Sequence, residues 1–119
     1  MLLRRTPSPV DIVDETFVRA APDVVRTALD GAGVLDRLWP DLVREVVQDR
    51  GDRGVRWRVS GAVEGRMEIW LEPVGGGTLV HHFVRGAHGH GSARWATGHR
   101  RRWKTGLNQI KDGLEGRSR

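Results

Sequence analysis

At 119 residues the chain is one domain, long enough to bury its own core, and with no cysteine it excludes disulfides, thiol catalysis and cysteine-ligated zinc. Its net charge of +5 rests on 18 Arg and only two Lys, Lys104 and Lys111. No helix-turn-helix, zinc-finger or ribonucleoprotein motif accompanies that charge, so no nucleic-acid partner is implied. The apolar run after Met1 is too short for a signal peptide and no stretch approaches membrane-spanning length, which makes the cytoplasm the expected location.

In chain order, residues 1–8 read as a loose arm and Val10–Arg19 as a first strand in which β-branched residues alternate with acids. Pro22 and Asp23 mark a helix start, Val24, Val25, Ala28 and Leu29 recur at helical spacing, and Gly31 and Gly33 stop the element. A second short helix, Val34–Leu38, must end at Trp39, because a residue before proline disfavours the helical region. Between Leu42 and Gly86 apolar and polar residues then alternate almost without a break. This stretch predicts a strand over Val43–Asp49, a tight connection over Arg50–Gly54, and a strand with Val55, Trp57 and Val59 on one face. A long strand follows, with Met67, Ile69 and Leu71 on one face and Glu64, Arg66, Glu68, Trp70 and Glu72 on the other. The glycines 75–77 are a turn, not a phosphate loop, since no helix start or Lys-Ser/Thr follows them. Leu79–Arg85 returns as a strand, Gly86–Gly91 reads as a flexible hinge, and a helix runs from about Ala93 to the end. Its apolar stripe is Trp95, His99, Trp103, Leu107, Ile110 and Leu114.

Five of the seven aromatic residues are Trp, and all five histidines lie in the last third of the chain. His82 shares a strand face with Val80 and Val84, and His99 lies on the helix stripe between Trp95 and Trp103. Two such imidazoles facing one another suit either acid–base work or a polar ligand head. They are weak catalytic candidates, because no inward carboxylate completes a relay and each reads more readily as an ordinary backbone-bonded half-buried His. His88 and His90 beside His81 and His82 invite a metal, but the segment is glycine-rich and lacks a carboxylate, so no metal site is assigned. The cluster Arg94, Arg100, Arg101, Arg102 and Lys104 reads as a solvated cationic face, paired in part with Glu64, Glu68 and Glu72. Peripheral contact with an anionic membrane surface is the more attractive use of it.

A strand, two short helices, an antiparallel run and one long closing helix form the helix-grip pattern. The chain resembles the START-like (SRPBCC) superfamily, in particular its bacterial polyketide cyclase/dehydrase and lipid transport branch. Four passages carry the likeness: Glu15–Pro22 before the first helix, Leu38–Leu42 after the second, Leu71–Thr78 at the hairpin, and the helix at 93–116. The resemblance implies an α+β helix-grip fold spanning 1–119, in which a curved antiparallel sheet and the carboxy-terminal helix enclose a cavity. The implied ligand is a small hydrophobic or aromatic molecule (a lipid, polyketide or similar metabolite), with no cofactor. Its pocket would be lined by Val55, Trp57, Val59, Met67, Ile69, Leu71, Val80, His82, Trp95, His99, Trp103 and Leu107, with Trp39 near the mouth. The chain departs from the pattern in having five strands where relatives commonly have six or seven, so the cavity is expected to be small, open to one side or completed by a second subunit. Two alternatives stand beside binding: a cyclase or dehydratase in which His82 and His99 handle protons, and a protein-interaction module or homodimer built on the open sheet and Trp70.

Overall fold

A computed structural model describes residues 8–89 and 91–116. Strand β1 (Ser8–Val18) leads into helices α1 (Pro22–Leu29) and α2 (Val34–Leu38). Strands β2 (Leu42–Asp49), β3 (Gly54–Gly61), β4 (Val63–Val74) and β5 (Gly77–His88) follow, and helix α3 (Ser92–Leu114) closes the fold. The sheet is antiparallel throughout, in the order β1-β5-β4-β3-β2, so the first strand pairs with the last and β1 and β2 form the edges. This is the helix-grip architecture. No described helix is long and apolar enough to cross a membrane.

Most sequence boundaries hold within two residues, with one larger difference. Gly86, Ala87 and His88 are not a hinge but the end of β5, where Gly86 stands opposite both Val10 and Gly65. Gly65 and Gly86 let the three backbones approach closely here, since a Cβ on Gly65 would lie 2.2 Å from the Arg85 carbonyl oxygen. The connection at 51–53 is a single 3-10 turn that ends on Gly54, whose φ is 118°. A Cβ there would lie 1.9 Å from the Ile69 carbonyl oxygen, and that atom is backbone within a paired strand. Gly54→Ala is therefore expected to lower stability by more than about 2 kcal/mol, read as a shift in the urea midpoint. A loss under half of that would show that the β2–β3 corner yields readily.

Strand alternation sorts the side chains cleanly. The inner face carries Val10, Ile12, Val55, Trp57, Val59, Met67, Ile69, Leu71, Val80, His82 and Val84, all buried beneath the helices. Helix α3 crosses this face and is fastened to β1 at several points. Trp103 Nε1 and Lys104 Nζ donate to the Asp14 carboxylate at 3.1 and 2.9 Å, and Lys111 Nζ donates to the Phe17 carbonyl at 2.7 Å. The predicted pairing of the α3 basic cluster with Glu64, Glu68 and Glu72 does not occur, because those carboxylates project from the opposite side of the sheet. Arg102 pairs instead with Asp41, Glu68 meets Arg50 and Arg56, and Glu72 meets His81.

Candidate functional site

The space between sheet and α3 is filled rather than hollow, and the filler is Trp39. The sequence places this ring at a mouth, but it is 1% exposed and occupies the centre. Its centroid lies 5.7 Å from Trp57, 5.0 Å from His82, 5.9 Å from His99 and 5.6 Å from Trp103. The reason is local. Helix α2 has only five residues and ends at Trp39, whose φ of −129° turns the chain, so the ring points under α3 instead of outward. Leu38 then seats in a notch made by Gly106, where a Cβ would lie 2.2 Å from a Leu38 methyl, and Arg102 Nε donates to the Leu38 carbonyl at 3.1 Å.

Trp95 takes the rim position instead. It is half-buried, stacks on His99 at 4.8 Å, and donates from Nε1 to Asp41 at 2.8 Å. Val55, Trp57, Val59, Met67, Ile69, Leu71, Val80, His82, His99, Trp103 and Leu107 all lie in one continuous buried cluster around the Trp39 ring or beside it. Hollows near this core lie on the α1–α2 side. A void of about 10 Å³ is lined by Leu29, Leu35, Val55, Trp57 and Ile69 among others, and an open groove of about 240 Å³ lies among Leu29, Val34, Leu35, Asp36 and Arg44. Neither reaches His82, His99 or Trp103.

The two inward histidines meet. Their Nε2 atoms are 2.9 Å apart, and His82 Nδ1 lies 3.1 Å from the Glu68 carbonyl oxygen. A carbonyl only accepts, so His82 carries its proton on Nδ1 and its Nε2 lone pair accepts from His99 Nε2–H. This leaves His99 Nδ1 as an acceptor. It and the Trp39 indole N–H are the buried side-chain polar atoms without a partner among the described residues. Burial, reinforced by the neighbouring His99, pushes the pKa of His82 down to about 3. His99 is pushed down to about 4 by burial and by Arg102, against a smaller opposing pull from Asp41. Both rings are thus neutral at physiological pH.

The other sequence candidates do not join this site. His81 points to the outer face and His82 to the inner one, so the two cannot share a ligand. His90 lies outside the described residues, and among those described no group of three or more His, Asp or Glu side chains is gathered in a way that would hold a metal ion. The signal that could have placed Trp39 at the centre was the Leu38-Trp39-Pro40 corner set against Gly106 on the closing helix.

No family model and no curated protein matches the sequence. Solved structures do match in fold. The Aha1 dimer from Colwellia psychrerythraea is similar over 92% of this chain and 99% of its own, at 21% identity and a TM-score of 0.65. A Mesorhizobium loti protein matches over 92% and 99% at 14% identity, with a TM-score of 0.66. The di-domain ARO/CYC StfQ from the steffimycin biosynthetic pathway matches at 15% identity and a TM-score of 0.62, over 92% of this chain and 52% of its own. At these identities the likeness establishes the fold alone, a helix-grip architecture.

Proposed function

Starting from that fold, we propose that the protein binds a small, flat, largely apolar molecule bearing one polar group, in the space between sheet and α3 where the Trp39 ring sits. The observation that carries this reading is the pair of unpartnered polar atoms, the Trp39 indole N–H and His99 Nδ1, on nearly parallel rings 5.9 Å apart inside an otherwise apolar core. Leaving such a group unsatisfied costs about 1–3 kcal/mol, so the indole N–H gains a partner when the ring swings out, and His99 Nδ1 is left to accept from a ligand hydroxyl. Trp57, Trp103 and His82 supply ring faces against which a flat molecule stacks. The indole that must move is carried by a short segment: α2 has no buried residue and follows Gly33 in the left-handed region, at φ 70°. The similarity to the di-domain ARO/CYC StfQ is consistent with such a ligand, and binding is favoured over proton transfer because both imidazoles are held far below the basicity useful at neutral pH.

Titration with 2-naphthol, followed by NMR of the indole N–H and imidazole resonances, tests this. The Trp39 and His99 signals are expected to shift, and naphthalene, which lacks the hydroxyl, is expected to bind at least about tenfold more weakly. Absence of any shift at Trp39 or His99 up to the solubility of either probe would sink the reading.

A further inference from the structure

The outer face of the sheet, away from the interior site, carries charge and ring patterns that fit its own rotated copy. We propose that two copies of this chain pack outer face to outer face about a two-fold axis lying across the strands.

The middle of this face is aromatic. Trp70 stacks on His81 at 4.2 Å and His81 lies parallel to Phe83 at 5.9 Å, a ladder of three rings running over β4 and β5. Val13 on β1, directly opposite Phe83, is 53% exposed, while Trp70 and Phe83 are half-buried and His81 between them is buried. A half-exposed aromatic strip beside an exposed valine on an outer sheet face suits contact with another surface.

The two ends of the face differ in charge, carboxylates alone flanking the ladder at one end and arginines with Glu64 and Glu68 interspersed lying at the other. Towards one end of the strands lie Glu72 and Glu15, which flank His81 at 2.9 and 3.6 Å. Towards the other end lies a row of arginines, Arg58, Arg66 and Arg85, paired directly across three neighbouring strands. Like charges opposite one another destabilise a sheet. Glu45 and Asp11 relieve the outer two at 3.5 and 3.7 Å, whereas Arg66 in the middle has no carboxylate within salt-bridge distance among the described residues. Arg66 and Glu72 stand six positions apart on β4, roughly 20 Å along the strand, with Trp70 between them. Rotation by 180° about an axis across the strands reverses that order, so the Arg66 end of one copy meets the Glu72 end of the other while the ring ladders stack at the centre. An isologous contact of this kind closes after two copies and leaves no edge for further growth.

Sedimentation equilibrium from micromolar to millimolar concentration tests the proposal. The wild type is expected to dimerise reversibly, and Trp70→Glu to raise the dissociation constant about thirtyfold or more, the size of a central aromatic hot spot. Arg66→Glu and Glu72→Arg are each expected to weaken the dimer at least about tenfold, while the double variant recovers most of the loss, because the exchange restores both contacts at once. Far-ultraviolet circular dichroism of each variant separates lost association from lost fold. A monomer mass throughout the concentration range, or single and double charge variants that behave alike, overturns the proposal. So does an outer face that binds anionic vesicles through Arg58 and Arg66 while the protein stays monomeric.

Discussion

Replacing Trp39 with alanine is expected to cost about 3–5 kcal/mol of stability, the largest effect of any single truncation in this chain. The ring is fully enclosed and touches both the sheet, through Trp57 and His82, and the closing helix, through His99 and Trp103. Its removal withdraws those contacts, and close-packed neighbours collapse only in part. The space left is lined by rings, so added indole is expected to restore much of the lost thermal midpoint in proportion to its concentration. The same variant also tests the binding reading. If Trp39 competes with the ligand, Trp39→Ala binds 2-naphthol more tightly than the wild type, because no population is spent on expelling the side chain. A stability loss under about 1 kcal/mol would mean that the ring does not hold sheet and helix together.

The buried imidazole pair predicts the second large effect, a loss of stability on mild acidification. In the unfolded chain both histidines titrate near 6.5; in the folded one they titrate near 3 and 4. Between pH 6.5 and about 4 the unfolded chain therefore binds protons that the folded chain refuses, so stability is fully present above pH 6.5 and falls as the pH drops through this window. Two groups with shifts of this size amount to a few kcal/mol by pH 4.5, a large part of what a small domain has. Urea midpoints from pH 7 to 4.5 should fall for the wild type and stay nearly flat for the double variant His82→Leu, His99→Leu. Asp49, whose carboxyl the Arg26 guanidinium holds below its ordinary value of 3.8, loses its contribution only as the pH falls towards and through that value, below most of this window. Imidazole nitrogen shifts give a second readout: His82 protonated on Nδ1, His99 on Nε2, and neither ring charging above about pH 5. Parallel acid profiles for wild type and double variant would refute the neutral pair.

Much of the fold was legible because its signals are local. The alternation from Leu42 onward assigns residues to the two faces of β3 and β4 as the structure has them, and the stripe Trp95-His99-Trp103-Leu107 on α3 meets the sheet as a periodicity of 3.6 requires. The side of β5 on which His82 lies followed from Val80 and Val84. The sequence raised a facing of His82 and His99 but did not fix the contact, since it joins a strand to a helix 17 residues on and depends on where α3 crosses. The reading of a hinge from Gly86 failed over residues 86–88 because glycine reports permissiveness and not its use: at Gly86 the freedom serves close backbone approach within the sheet.

The sequence by itself determined an α+β helix-grip chain and which side chains face inward, because period-two and period-3.6 patterns fix faces before any long-range contact forms. Whether the enclosed space is open or filled was decided only in three dimensions. That outcome turns on the direction in which the Leu38-Trp39-Pro40 corner leaves α2, and on Gly106 letting Leu38 sit close to α3 so that the indole is driven inward. Volume is a sum over residues distant in sequence, and no periodicity records it.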